Sequence, residues 1–504
     1  MTTQMRHMMA RGLRSVGGRV LSVALAATAL MVGGAACHLL DVTTPDVVPT
    51  EGLNDPLALP TIRAGAIGDF GIAYTGSGAS GSGGTVEGQV LISGLLADEW
   101  INTETFPDRV QADARQVDPA SGTFTTVFRN LARAHLSATN AAAKFRQLSD
   151  TTTNSGLAEM LSLVGYTRLF FAENYCSGVP ISYPNPDGSV QFGTPLTTAQ
   201  MLDSALLRFN EALAVARALV VATASDTANR ILMIGLASVG KARTLLAMGR
   251  IADADTVASA ANVATGLVYV IQHDLNTSRQ QNGVFSGIRK FKRYGVANRE
   301  GGVGLPWRDS ASLDPRTPFT RYPLLPKPNF GFDGVTPQFD QLRYTDEKSA
   351  ITLATGLEAR LINAEAALLR GDTVAFMAGL NGLRTSPPEY ILAGVQGTTA
   401  PGDQPRPVPV MVALATPASS AAAVNLLFTE RARWLWGTGH RLNDLRRLVR
   451  AVGTRGGYGR AENTVFPNGP YFKNGLVYGT DVNYPVPLDE TNNPNFTQCR
   501  DRLP

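Results

Sequence analysis

Apolar residues recur at helical spacing along most of this chain, and they predict a protein built mainly from α-helices. The predicted helices cover residues 61–74, 86–100, 122–148, 157–175, 201–221, 228–248, 251–263, 353–370 and 373–384. Gly249 and Gly371 directly follow two of them, as residues that end helices do. Helix, short turn and helix, repeated with alanine-rich faces, is typical of stacked hairpins of the tetratricopeptide type, here without a clean period of about 34 residues.

The segment Leu426–Arg450 shows this pattern most clearly. Its apolar positions follow helical spacing, stop at the Gly-Thr-Gly of residues 437–439 and resume at Leu442. This pattern predicts two helices joined by a tight turn into an antiparallel pair. Trp434 and Trp436 fall at helical positions and are predicted core residues. The many arginines of this segment form either a solvated basic face or internal partners for acidic residues elsewhere.

The composition changes after about residue 265. Residues 266–350 are rich in Gly, Pro, Tyr, Phe and Arg and have few helical faces, which predicts short strands and long loops. Residues 386–418 form a second insertion rich in Pro, Gly and Thr, and residues 451–504 form a loop-like tail. Long loops on a helical scaffold are where binding residues are expected.

The first 36 residues have the pattern of a secretory signal peptide. Four arginines and no acidic residue precede residue 37, and an uncharged apolar run spans Val20–Ala36. Small residues lead to Cys37, as in a bacterial lipobox, so Cys37 is the predicted site of lipidation; a retained membrane anchor is the alternative. Removing the four arginines leaves a formal charge of +4 − 4 = 0, and a neutral mature chain lacks the electrostatic footprint of a nucleic-acid-binding protein.

Residue patterns that carry catalysis or bind metal are missing from the sequence. The five histidines are scattered without the spacing of metal ligands. Asp98-Glu99 and Asp346-Glu347 are adjacent carboxylates, whereas a glycosidase needs two carboxyl groups on opposite sides of the scissile bond. We therefore expect no enzymatic activity, no cofactor and no metal. Cys176 and Cys499 are a possible disulfide in an exported protein.

Four segments resemble signatures of the SusD/RagB-type outer-membrane lipoproteins. Two of them, GLEARLINAEAALLRGD at 356–372 and TERARWLWGTGHRLNDLRR at 429–447, resemble the helical signatures of that family. YCSGVPI at 175–181 and NYPVPLDETNNPN at 483–495 resemble its shorter loop elements. The signature residues of the two helical segments are Glu358, Glu365, Glu430, Arg431, Arg441 and Asp444.

This resemblance implies a mainly α-helical, SusD-like fold of about four tetratricopeptide-like hairpins with loop-rich insertions and few short strands. It implies a signal peptide (1–36), a lipid-anchored tether (37–60) and one domain (61–504), divided into an N-terminal helical half (61–265), a ligand-binding insertion (266–350) and a C-terminal part (351–504). The implied role is a surface lipoprotein that captures a carbohydrate or peptide nutrient for a SusC-like TonB-dependent outer-membrane transporter. The alternative is a tetratricopeptide-like scaffold at the cell envelope that binds protein partners only.

Sugar recognition needs flat aromatic faces beside planar polar groups. Two loops meet this description, and the candidate ligand-binding residues are Trp100, Asn102 and Phe106 in one and Tyr294, Asn298, Trp307, Arg308 and Asp309 in the other. Glu358 and Glu365 lie on one helix face that must pack. We therefore expect them to pair with arginines, with Arg431, Arg433 and Arg441 as the nearest candidates.

Overall fold

Pairs of consecutive α-helices make up most of the protein. The computed structural model describes residues 52–79, 85–185, 187–309, 313–321, 329–394, 405–497, 499 and 502–504. Its helices are α1 (Leu59–Thr75), α2 (Gln89–Leu96), α3 (Pro107–Asp113), α4 (Gly122–Leu148), α5 (Gly156–Asn174), α6 (Thr198–Ala218), α7 (Ala224–Ala247), α8 (Ile251–Val257), α9 (Gly283–Phe285), α10 (Gly356–Leu369), α11 (Thr373–Thr385), α12 (Ser420–Trp434) and α13 (Arg441–Val449).

Side chains that cap the first turn define where several helices begin. The Thr197 hydroxyl accepts from the Gln200 amide at 3.2 Å, and the Gln200 side chain accepts from the Thr197 amide at 2.9 Å, which completes a capping box for α6. Thr355 caps α10 by accepting from the Glu358 amide at 3.1 Å. These bonds satisfy amide groups that have no partner inside the helix.

The helices pack as neighbours in the order of the chain. α4 packs against α5, α6 against α5 and α7, α10 against α11, and α1 lies along α4. The Phe209 ring of α6 shows why small residues line these contacts: a Cβ added at Gly165 of α5 or Gly240 of α7 would lie 2.8 or 2.3 Å from that ring. Glycine at both positions therefore lets two helices approach the same aromatic side chain. The predicted helical architecture is confirmed.

Short antiparallel ribbons connect and flank the helices. The strands are β1 (Trp100–Asn102), β2 (Val179–Pro180), β3 (Tyr183–Pro184), β4 (Val190–Gln191), β5 (Pro195–Leu196), β6 (Val268–Ile271), β7 (Tyr294–Val296), β8 (Phe319–Arg321), β9 (Phe339–Gln341), β10 (Ile351–Thr355), β11 (Leu392–Ala393) and β12 (Arg406–Pro407). They pair as β1–β7, β2–β5, β3–β4, β6–β10, β8–β9 and β11–β12. The β1–β7 and β6–β10 ribbons organise the two sites described below.

Helix boundaries differ from the sequence prediction at several places. The predicted helix 86–100 ends at Leu96, and Trp100 begins strand β1. The helix predicted from residue 353 begins at Gly356, because residues 351–355 pair with β6 as strand β10. The helix predicted to end at residue 263 ends at Val257. A short apolar run fits a buried strand as well as a helix, and pairing with a distant strand decides between them.

The segment Leu426–Arg450 forms two helices around a glycine turn, as predicted. Gly437 and Gly439 have φ values of +67° and +75°, a region that glycine adopts without the steric cost of a Cβ. The predicted antiparallel pairing of the two helices is wrong, because α13 packs mainly against α2 and α5 rather than folding back along α12. Trp434 and Trp436 are completely buried, which confirms their predicted place in the core.

Residues 56–504 form one compact unit, and a disulfide ties its C-terminal end to the middle of the chain. Cys176 and Cys499 form a disulfide with Cα atoms 5.7 Å apart, across a sequence separation of 323 residues. The predicted signal peptide 1–36, Cys37 and most of the tether 37–60 lie outside the described residues. Within the described part of the chain, each helix is too short or too polar to cross a membrane.

Candidate ligand-binding surface

Two loops meet at one end of the β1–β7 ribbon. The strands run antiparallel with Asn102 opposite Tyr294, so the loop that leaves β1 lies beside the loop that enters β7. The Thr103 amide donates to the Arg293 carbonyl oxygen at 2.8 Å and extends the pairing by one step. The sheet therefore holds residues 103–106 against residues 291–293.

Two further loops join them from distant parts of the sequence. The Phe332 amide donates to the Lys292 carbonyl at 2.8 Å, and the Asp333 amide donates to the Thr103 carbonyl at 3.0 Å. The Lys473 ammonium group donates to the carbonyl oxygens of Asn102 at 3.0 Å and Glu104 at 2.8 Å, and to the Asp333 carboxylate at 3.1 Å. One lysine thus ties the tail of the chain to two of these loops.

Three exposed phenylalanine rings stand on the joined loops. Phe106, Phe332 and Phe472 expose 48%, 58% and 46% of their surfaces. Two of the rings lie beside cations: the Arg109 guanidinium is 5.4 Å from the Phe106 centroid, and the Lys473 ammonium is 5.6 Å from the Phe472 centroid. We call these three rings with Lys473 the aromatic loop surface. Flat apolar faces next to hydrogen-bonding groups suit a ligand with both C–H faces and hydroxyl groups.

A buried charge cluster supports this surface from below. The Glu87 carboxylate accepts from Arg109 and from the Tyr294 hydroxyl, each at 2.6 Å, and Glu104 lies 3.1 Å from the same arginine nitrogen. Burial raises the pKa of Glu104 to about 7, with the Arg109 charge opposing it. Burial also disfavours the ionised form of Glu87, but the charge and hydrogen bond of Arg109 outweigh it and lower the pKa of Glu87.

Two carboxylates with pKa values displaced in opposite directions resemble the acid–base pair of a hydrolase. The side chains of Glu87 and Glu104 are only 1% and 0% exposed, however, and their charge is directed at Arg109. A substrate on the surface cannot reach them, so their arrangement holds the loop after β1 in place. Within the described residues, acidic, histidine and cysteine side chains form no group able to hold a metal ion.

Four of the predicted ligand contacts are buried in the structure. Trp100, Asn102, Tyr294 and Trp307 are 1%, 0%, 1% and 3% exposed and present no face to a ligand. The Trp100 and Trp307 rings pack against Trp436, with centroids 5.2 and 6.2 Å from it. Trp100, Tyr294 and Trp307 thus contact residues far along the sequence, the Tyr294 hydroxyl by donating to Glu87. The Asn102 side chain accepts from the Glu104 amide, two residues away, at 3.1 Å.

Asn298, Arg308 and Asp309 are half-buried at the opposite end of the β1–β7 ribbon. The Asn298 amide donates to Asp309 at 2.9 Å and its oxygen accepts from the Arg308 amide at 2.9 Å. The Arg308 guanidinium lies 3.8 Å from the Phe339 centroid. Ligand contact by these three residues stays a prediction. Of the proposed set, only Phe106 belongs to the aromatic loop surface.

Sequence reasoning missed Phe332, Phe472 and Lys473. The available signal was an aromatic residue inside a turn-forming stretch, as in the Gly-Phe-Asp-Gly of residues 331–334 and the Tyr-Phe-Lys-Asn of residues 471–474. A phenylalanine in such a stretch has little chance of packing into a helix or strand, so it either pins the loop or remains exposed.

The signature residues form buried ion pairs away from this surface. Arg431 binds Asp444 at 2.9 Å, Arg441 binds Asp98 at 2.6 Å, and Glu430 binds Arg316 at 2.6 Å. The structure corrects the expected partners of the two helix acids. Glu358 contacts His440 at 3.0 Å, and Glu365 pairs closely with Arg447 and reaches Arg431 only at 4.0 Å.

The remaining candidate arginine, Arg433, binds Asp314 at 3.0 Å rather than either helix acid. A helix pattern shows which acids face inward. It does not show which distant arginine meets them.

Solved structures share this architecture, although neither a protein-family model nor a curated protein sequence matches the chain. A SusD-like protein from Bacteroides fragilis is 13% identical, with a TM-score of 0.58 and coverage of 90% of this chain and 98% of that one. A SusD superfamily protein from Parabacteroides distasonis is 12% identical, with a TM-score of 0.56 and coverage of 88% and 98%. A SusD-like carbohydrate binding protein from Bacteroides fragilis is 12% identical, with a TM-score of 0.53 and coverage of 86% and 98%. The chain has the SusD superfamily fold.

Proposed function

We propose that this protein is a nutrient-binding protein that captures a glycan on the aromatic loop surface and does not cleave it. The observation that carries the proposal is the exposure of three phenylalanine rings on loops that hydrogen bonds hold together. Exposed rings on loops that are already held in place can stack on the apolar faces of a sugar without the entropic cost of ordering a loop on binding. One structural neighbour is a SusD-like carbohydrate binding protein, which supports the same ligand class.

The wider role rests on the resemblance to SusD/RagB-type lipoproteins. We propose that the mature protein is anchored to the cell outer membrane through lipid on Cys37, faces the outside, and delivers its ligand to a SusC-like TonB-dependent transporter. Loss of palmitate labelling and of membrane association in Cys37→Ser would support the anchor. Unchanged labelling would refute it. Co-purification of a large outer-membrane β-barrel protein would support the partner.

The ligand proposal is tested by screening the mature protein on a glycan array and titrating the best glycan by calorimetry. Each aromatic contact is worth roughly 0.5–1.5 kcal/mol, so Phe332→Ala and Phe472→Ala should each weaken binding by about 2- to 12-fold. Phe192→Ala is the matched control, because Phe192 is 41% exposed but lies outside the aromatic loop surface.

Equal affinities for the two surface variants and the control would place the ligand elsewhere. Failure of the folded protein to bind any carbohydrate or peptide would favour the protein-interaction scaffold. Release of a shortened glycan after prolonged incubation would contradict the non-enzymatic role.

A further inference from the structure

A pocket opens on the β6–β10 ribbon, between its two strands and the chain around residue 390. Its volume is about 290 Å³, and it is lined mainly by apolar side chains, including Val268, Val270 and Leu392. Thr352 of β10, which pairs with Val270, contributes a polar group to the same lining. A pocket of this volume is close to the lower end of the range for small-molecule sites and accommodates a ligand the size of an amino acid.

Arg343 is the one charged residue among the described lining residues of this pocket. It is only 7% exposed, and its Nη1 donates a long hydrogen bond of 3.3 Å to the Trp434 carbonyl oxygen. Among the residues that the structure describes, no carboxylate lies within ion-pair distance of Arg343. Arg316 and Arg447, which are also deeply buried, each have such a partner, whereas Arg450, at 3% exposed, likewise has none within ion-pair distance among the described residues.

Glu99, an acid that senses the charge of Arg343, does not supply the missing counter-charge. Glu99 interacts with Arg343 electrostatically, but burial raises the pKa of Glu99 to about 8, so its carboxyl group is mostly neutral at pH 7. A nearly buried guanidinium without a counter-charge is costly, and an anion that entered the pocket would offset that cost. Guanidinium groups bind carboxylates through two parallel hydrogen bonds, which favours that anion over a spherical one.

We propose that this pocket binds a small organic carboxylate, with its acid group on Arg343 and its apolar body against Val268, Val270 and Leu392. The site is separate from the aromatic loop surface and does not depend on the glycan proposal. It gives the protein a second ligand class, a free acid of about amino-acid size.

The test uses the full mature protein and three probes: isovalerate, its neutral analogue isovaleramide, and inorganic phosphate, each titrated by NMR. We expect isovalerate to bind at least tenfold more tightly than isovaleramide, and phosphate to bind more weakly than isovalerate. Arg343→Gln should remove the preference for the acid, and Arg343→Lys should keep a weakened preference. Ala350→Phe, which fills the pocket without touching the charge, should bind neither isovalerate nor isovaleramide.

Arg289→Gln is the matched control, because Arg289 is a nearby half-buried arginine that bonds the Thr345 carbonyl and lies outside the lining. It should behave as the parent protein does. Melting temperatures distinguish a ligand-binding role of Arg343 from a structural one. If Arg343 serves ligand binding, its removal also removes a costly buried charge, so unliganded Arg343→Gln should be at least as stable as the parent protein.

Three outcomes would overturn the proposal. These are a less stable Arg343→Gln with unchanged affinity for isovalerate, equal binding of acid and amide by the parent protein, or phosphate binding as tight as isovalerate binding. Asp403, two residues before Pro405 in the sequence, lies outside the described residues and is tested as Asp403→Asn. If isovalerate bound only to Asp403→Asn, the proposal would also be overturned. Asp403 would then be the counter-charge of Arg343, and no ligand would be needed to neutralise that arginine.

Discussion

Replacement of Glu365 by alanine should destabilise the protein strongly and leave ligand affinity unchanged. The Glu365 carboxylate is fully buried on α10, pairs closely with the fully buried Arg447, and accepts from the Tyr458 hydroxyl at 2.7 Å. Among the described residues, its removal leaves Arg447 with Asp444 as its only ion-pair partner, at 3.6 Å. Breaking one side of a buried ion pair costs about 3–5 kcal/mol, because the remaining charge keeps its desolvation penalty.

This loss of unfolding free energy corresponds to a measurable fall in melting temperature. Unfolding entropy of about 2.1 cal/mol/K per residue over residues 56–504 makes about 4 kcal/mol equivalent to a fall of about 4 °C in melting temperature. Differential scanning calorimetry of Glu365→Ala measures the fall, and titration with the best glycan measures affinity. The aromatic loop surface takes no residue from α10, so the two measurements are independent.

A surface pair provides the control. Glu347 binds Lys290 at 2.6 Å, but the two side chains are 28% and 40% exposed, so Glu347→Ala should change stability by less than about 1 kcal/mol. A melting temperature of Glu365→Ala within about 1 °C of that control would refute the reasoning about buried charge. Lost affinity at an unchanged melting temperature would instead move Glu365 into the binding site.

Three further expectations concern a ring, two acids and the disulfide. Trp307→Ala should cost about 3–5 kcal/mol on calorimetry without weakening glycan binding, because the ring is buried; weakened binding at unchanged stability would reverse this. Burial raises the pKa of Glu99 and Asp113 to about 8. Their contribution to stability is complete below their ordinary pKa and is lost progressively as the pH rises from that value through 8. The melting temperature should therefore fall between about pH 5 and 8 and level off above that range, with a smaller fall in Glu99→Gln; an unchanged slope contradicts this. The loop-closure entropy over a sequence separation of 323 residues makes the disulfide worth about 6 kcal/mol, so Cys499→Ser should melt earlier than the parent without reductant and at the same temperature with reductant.

Helices were predictable because their signals are local. The capping box at Thr197, the bounds of α4 and the glycine turn at residues 437–439 follow from residues within a few positions of each other. Strand β10 was mistaken for part of a helix because its partner β6 lies about 80 residues earlier in the chain. Local periodicity does not contain that information.

The candidate site was only partly predictable, for the same reason. Phe106 and Trp100 both follow α2 and are aromatic, yet Phe106 is exposed whereas Trp100 packs against Trp436. Exposure of a loop aromatic depends on whether a distant segment covers it. Phe332 and Phe472 belong to the surface only because Lys473 and the amides of residues 332–333 tie their loops to β1.

The sequence by itself determined the helical class, the caps and turns, the neutral charge expected after export and the inward direction of the acids on α10. The tertiary structure decided which arginine neutralises each acid, which aromatic rings face solvent, and that Arg343 lies in an apolar pocket without a carboxylate partner in the described chain. The physical reason is the distance along the chain over which each kind of interaction acts. Backbone hydrogen bonds and hydrophobic periodicity act over a few residues, whereas burial and charge pairing depend on segments hundreds of residues apart.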